Sequence, residues 1–129
     1  MSKEVHYIDI RIDLWPWKNF LPSEIACKGT GLIIVDYDAM CRLQSFREIV
    51  GIPFTPNSAY RSKSHNQAVG GSSRSQHLLG RAFDIPIFGE MTREVIKKTA
   101  HDVGFTGIGD YNTFIHVDTG RKRYWDERK

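Results

Sequence analysis

Residues 75–84 read Ser75-Gln76-His77-Leu78-Leu79-Gly80-Arg81-Ala82-Phe83-Asp84, and the chain runs on into Ile85, Pro86 and Ile87. Gly80 lets the backbone turn sharply, and Ala82 to Ile87 predicts a strand. Asp84 therefore enters an apolar strand, where a carboxylate is costly to bury unless it is paired or bound to a metal. His77 stands seven residues earlier, on the other side of the turn.

Moving outward, Phe114-Ile115-His116-Val117-Asp118 predicts a second strand. Alternation puts Phe114, His116 and Asp118 on one face, with Ile115 and Val117 on the other. His77, Asp84 and His116 together make a donor set suited to Zn²⁺, with a fourth position left for water. Such a site polarises a carbonyl and activates water, as amide hydrolysis requires. The same residues admit a plainer reading: satisfied or exposed histidines, Asp84 as a turn cap, and His116 and Asp118 as an exposed strand pair. His6, His65 and His101 are assigned no role. A third cluster, Asn57-Ser58-Ala59-Tyr60-Arg61-Ser62, closes an extended stretch from Ile52 to Tyr60. Ser62 to Ser75 is rich in Ser, Gly and Asn and predicts a loop opened by a helical turn.

The remaining elements follow from caps and periodicity. Residues 36–50 predict a helix, with Asp36 and Asp38 at its start, a stripe of Met40, Leu43, Phe46, Ile49 and Val50, and Gly51 as a stop. Cys41 within it reads as a structural thiol. Thr92 to Val103 predicts a second helix, capped by Thr92 and followed by Gly104. Phe20 to Glu24 predicts a helical turn with Pro22 near its start. Val5 to Leu14 alternates as a strand, ended at Trp15-Pro16-Trp17. Phe105 to Ile108 pairs with Phe114 to Asp118 across a turn from Gly109 to Thr113. Helices and hairpins without βαβ periodicity imply an α+β fold, an antiparallel sheet with flanking helices in a single small domain over residues 1–129.

The 129 residues are 40% hydrophobic and 26% charged, a composition that supports a packed core without disulfide or metal staples. Any metal must then be justified by chemistry. The net charge of +3 suits an anionic polymer or surface and is too small to identify nucleic acid. The basic aromatic tail from Gly120 to Trp125 is read as structural closure near the cleft, not as a nucleic-acid patch. Cys27 and Cys41 exclude a zinc ribbon but leave one disulfide open. No stretch approaches 18 apolar residues, so no membrane span is expected. The first residues carry no secretion signal, which leaves cytoplasmic action or another route to the substrate.

The string SQHLLGRAFD fits S-x-H-x-x-G-x-A-x-D, and here the chain resembles the zinc D-alanyl-D-alanine carboxypeptidase and peptidoglycan endopeptidase family. That family includes phage endolysins and shares its fold with the Hedgehog signalling domain. Ser75, His77, Gly80, Ala82 and Asp84 match all five fixed positions. NSAYRSKSHNQAVGGSSRSQH resembles the family's approach to the motif, and FIHVDTGRKRYW its closing segment. The resemblance covers about residues 20–125.

It implies a Hedgehog/DD-peptidase-like fold, one zinc per chain on His77, Asp84 and His116, and a substrate site that includes Arg61 and Ser75. Arg61 suits a peptide carboxylate or the scissile carbonyl, because its planar fork donates in pairs. Many relatives end in H-x-H, with the second His on the metal and an acid a few residues upstream as base. Here the pair is His116 and Asp118, and the residue three before His116 is Thr113. Either His116 binds zinc and Asp118 or Asp110 is the base, or Asp118 is the ligand and His116 the catalytic group. The first is favoured, because two carboxylates with one imidazole is a less common zinc set, and Asp118 ranks above Asp110 because it shares the metal-facing side of its strand.

The expectation is a zinc peptidase acting as a monomer on peptidoglycan peptides at the cell wall, possessing a phage-like route of release from the cytoplasm. The alternatives are a non-catalytic zinc module that binds cell wall or a protein partner, and a metal-free binding domain. The bond cut is left open among terminal D-Ala-D-Ala, cross-link and L-Ala-D-Glu.

Overall fold

A computed structural model describes residues 3–129. Its centre is a four-stranded sheet in the order β3-β5-β4-β6, where β3 is Ala82–Pro86, β4 Gly107–Asp110, β5 Phe114–Asp118 and β6 Arg123–Asp126. The helices are α1 (Pro22–Ile25), α2 (Tyr37–Val50), α3 (Lys63–Ala68) and α4 (Arg93–Asp102). A separate two-stranded ladder joins β1 (Val5–His6) to β2 (Leu32–Ile33). The α+β class is borne out.

Local chemistry sets the helix ends. The Asp36 carboxylate accepts from Ala39 N at 3.0 Å to open α2, and Gly51 closes it at φ 65°. Thr92 Oγ1 accepts from Val95 N to open α4, and Ser62 Oγ accepts from His65 N to open α3. In α1, Pro22 stands at the first turn while Glu24 reaches back to Leu21 N at 2.8 Å.

Ala39, Met40, Leu43 and Phe46 form one buried face of α2, and Ile96 and Ala100 that of α4. They join Phe83, Ile85, Ile115 and Val117 from the sheet in one continuous core. Each large side chain buried there contributes about 1.5–3 kcal/mol. The opposite face of β5 is thereby left to His116 and Asp118.

Three expectations need correction. The stretch Val5 to Leu14 is a strand for two residues only, followed by 3-10 turns at Tyr7–Asp9 and Ile12–Leu14. Its partner β2 offers only two residues of ladder, and the His6 ring accepts from Ile8 N and starts a turn instead. Ile8, Ile12 and Leu14, which a continuous strand would place on one side, are exposed. Next, β4 begins at Gly107 rather than Phe105, because buried Phe105 closes the α4 turn by donating its N–H to Ala100 O. Finally, the sheet is mixed. The closing segment forms β6, which pairs parallel to β4 with Gly109 opposite Trp125. Cys27 and Cys41 are both free thiols.

Candidate active site

His77 lies in a 3-10 turn (Gln76–Leu79) that Ser75 opens, its Oγ accepting from His77 N, and Gly80 closes at φ 71°. A Cβ on Gly80 would meet Ile34 O at 2.4 Å, so both the turn and the close approach call for glycine. Asp84 is the middle residue of β3 and stands directly opposite His116 of β5. Cross-strand partners share a face, so pairing brings these two side chains together and the turn delivers His77 to them. His77 Nε2 lies 3.2 Å and His116 Nδ1 3.1 Å from Asp84 Oδ1. The three donor atoms lie within 4.8 Å of one another.

The outer ring nitrogens decide what the inner ones offer. His77 Nδ1 is 2.6 Å from Ala59 O, and His116 Nε2 is 2.6 Å from Asp118 Oδ2. Both partners are acceptors, so both outer nitrogens carry the proton, and the inner nitrogen of each neutral ring presents its lone pair. Two imidazole lone pairs and a carboxylate oxygen, each ring braced from behind, fit a zinc ion.

Burial opposes charge on Asp84, yet the His116 and His77 rings, which donate inward once they carry a proton on both nitrogens, outweigh it and hold the carboxyl well below the usual range. Burial likewise pulls His116 down, and the carboxylates of Asp118 and Asp84 reverse this, leaving it raised.

The two residues expected as base are placed otherwise. Asp118 is fully buried. Its carboxylate receives His116 Nε2, Arg123 through both terminal nitrogens at 2.9 and 2.7 Å, and Gly120 N at 3.0 Å. Asp110 is fully buried beneath Arg93, Lys97 (2.9 Å) and Tyr124 Oη (3.0 Å). Neither borders the cleft beside the histidines, a space of about 320 Å³ lined by Arg61, Ser75, His77, Tyr111, His116, Arg123 and Trp125 among others. Its lining, among the described residues, includes no Asp or Glu.

Arg61 and Ser75 are both in the lining. The Arg61 backbone N–H donates to His77 O at 3.1 Å, which ties Arg61 to the His77 side. Its guanidinium donates to Asn66 Oδ1 at 2.9 Å, and it forms no ion pair among the described residues. Gly71 makes this possible, since a Cβ there would meet Asn66 Oδ1 at 2.1 Å and Arg61 Nη1 at 2.6 Å.

Tyr111 was not foreseen from the sequence, and Arg123 and Trp125 were foreseen only as part of a tail closing near the cleft, without a role of their own. The Trp125 ring lies 5.2 Å from the His116 ring, with the Arg123 guanidinium 4.9 Å from its centroid. The signal for them was the alternation Gly107-Ile108-Gly109 on β4. A Cβ at Gly107 would collide with Asp118 and Arg123, and one at Gly109 with Trp125 at 2.4 Å. Alternate glycines clear one face of the strand for large neighbours.

A sequence profile of Peptidase M15 matches residues 18–118. The chain belongs to the Peptidase M15 family. Among curated M15-like relatives, it is 35% identical over 115 residues to the zinc D-Ala-D-Ala carboxypeptidase of Streptomyces albus G, covering 84% of this chain and 43% of that protein. It is 34% identical over 98 residues to the peptidoglycan L,D-endopeptidase MepK of Escherichia coli K12, covering 69% of this chain and 52% of that protein. A probable MepK of Haemophilus influenzae is 41% identical over 73 residues, covering 51% and 39%. The chain thus spans about half or less of the length of the relatives it matches. The M15 profile ends at Asp118, so the closing strand with Arg123 and Trp125 lies beyond it.

Proposed function

We propose that this chain is a zinc-dependent peptidase of peptidoglycan stem peptides or cross-links, acting at the cell wall. The observation that carries the reading is the convergence of His77 Nε2, Asp84 Oδ1 and His116 Nδ1 beside an open cleft. Both rings are braced from behind, so the donors are held before any ligand arrives. Membership of the M15 family and relatives named for peptidoglycan peptidase activities support it.

In this reading His77, Asp84 and His116 hold the zinc. Bound zinc supplies polarisation of the scissile carbonyl and activation of water. Arg61, with no carboxylate partner among the described residues, binds a carboxylate of the peptide and orients it. Ser75 shapes the His77 turn from the cleft wall. Asp118 holds His116 in the tautomer that faces inward, and Arg123 holds Asp118. Neither Asp118 nor Asp110 borders the cleft, so neither is given the part of base.

That same feature favours a second reading, a zinc-holding module of this fold that binds cell wall or a protein partner without turnover. Digestion of purified muropeptides with and without a chelator, products resolved by mass, separates the two. Metal-dependent loss of terminal D-Ala, or splitting at another stem-peptide bond, is expected for the peptidase and names its bond. Intact muropeptides in the presence of protein carrying one zinc per chain would overturn the peptidase in favour of the module.

A further inference from the structure

Among the described residues that line the cleft, Tyr111 offers a hydroxyl aimed by a side-chain donor, whereas Ser72 and Ser75 accept from backbone N–H groups of their own turns. Trp125 Nε1–H donates to Tyr111 Oη at 3.0 Å, and an indole N–H can only donate. The Tyr111 oxygen is therefore an acceptor on its Trp125 side, and its own proton points elsewhere. Among the described residues no group accepts that proton, and Tyr111 lines the cleft.

The ring is not free to swing. It stacks on Phe114 at 4.6 Å with 9° between the planes, and Phe114 is two residues from His116 on the same strand. Trp125 in turn packs on His116 at 5.2 Å. The phenol is thus tied to the His116 side of the cleft, while Arg61 is tied to the His77 side. On the His116 side, Arg123 also lines the cleft, but both its terminal nitrogens are engaged by Asp118.

We propose that Tyr111, aimed by Trp125, donates a hydrogen bond to the oxygen of the scissile carbonyl as negative charge develops there. The inference rests on the peptidase reading. It gives two of the cleft's donors separate tasks: Arg61 for a peptide carboxylate, Tyr111 for the reacting oxygen. A donor used only as charge develops acts on kcat and leaves ground-state binding nearly unchanged.

The test uses a cross-linked muropeptide dimer with one pentapeptide stem, which contains terminal D-Ala-D-Ala, cross-link and L-Ala-D-Glu bonds. Tyr111→Phe is expected to lower kcat roughly 100-fold with KM within about threefold, while zinc content and thermal midpoint stay those of the wild type. Trp125→Phe, which keeps a ring beside His116 but removes the N–H, is expected to lower kcat about tenfold. The double variant is expected to be no worse than Tyr111→Phe, because Trp125 acts through Tyr111. Wild-type kcat in Tyr111→Phe, or a loss carried by KM or zinc content, would overturn the role of Tyr111 alone. Should Tyr111→Phe fail to fold, a wild-type kcat in Trp125→Phe would overturn it as well. A wild-type chain that carries zinc and leaves all three bonds intact would overturn the peptidase reading and this inference with it.

Discussion

Asp118 Oδ2 lies 2.6 Å from His116 Nε2, and this contact decides which nitrogen of the ring faces the cleft. A carboxylate behind a metal-facing imidazole fixes its tautomer and raises its basicity, and Arg123 keeps that carboxylate in place. Asp118→Asn is therefore expected to weaken zinc binding about 10- to 100-fold in a competition titration with a chromophoric chelator. Unchanged zinc affinity with abolished turnover would return Asp118 to the role of base.

Zinc should also register as stability. A ligand that binds only the folded chain at 100 times its Kd contributes about 2.7 kcal/mol. For a chain of this size that corresponds to a rise of about 10 °C in Tm. Removing the metal with a chelator is expected to reverse the rise. His77→Ala and His116→Ala should show neither the rise nor stoichiometric zinc by elemental analysis.

Gly109 should be intolerant for a reason that Gly89 does not share. A Cβ at Gly109 would meet the Trp125 ring at 2.4 Å, whereas a Cβ at Gly89 meets nothing within 4 Å. Gly109→Ala is expected to cost about 2 kcal/mol through overpacking and to shift Trp fluorescence as the ring is displaced. Gly89→Ala carries only the left-handed strain of its φ of 53°, about 1 kcal/mol, with unchanged fluorescence. Urea unfolding of the two variants makes the comparison.

Asp110 belongs to stability rather than to the cleft. Burial works against its charge, but hydrogen bonds from Lys97, Tyr124 and Arg93 outweigh it and hold the carboxyl below its usual range. A carboxylate depressed in the folded state contributes its stability above its unfolded pKa of about 3.9 and loses it as pH falls through the folded value. Asp110→Asn is expected to cost about 3 kcal/mol at pH 7, at the low end for a broken buried pair because Arg93 and Lys97 still reach water. The gap between variant and wild type should narrow below about pH 4 in urea titrations. A gap constant with pH would mean that the ion pairs contribute nothing.

Much of the molecule was legible before any coordinates, because it rests on local rules. The caps Asp36 and Thr92 and the stops Gly51 and Gly104 bound the two longer helices, and Met40, Leu43 and Phe46 of the stripe expected on α2 are buried, whereas Ile49 is exposed because it lies in the last turn away from the core. Ser75, His77, Gly80 and Asp84 lie within ten residues, so their turn and strand form one local unit that also carries the family's motif. Alternation along β5 put His116 and Asp118 on one face.

What only the tertiary structure decided involves partners far apart in the chain. The register that sets Asp84 against His116 joins residues 32 apart. Asp118 and Asp110 are chemically identical and both looked free to act as base. Arg123 and His116 engage one, Arg93 and Lys97 bury the other, and no local pattern announces either set of partners. The parallel edge strand β6 hides in a basic, aromatic tail without apolar alternation, because its pairing is set by β4 rather than by its own composition. Residue types and short spacings are thus determined by the sequence itself, whereas which carboxylate braces, which is buried and which hydroxyl faces the cleft depend on long-range packing.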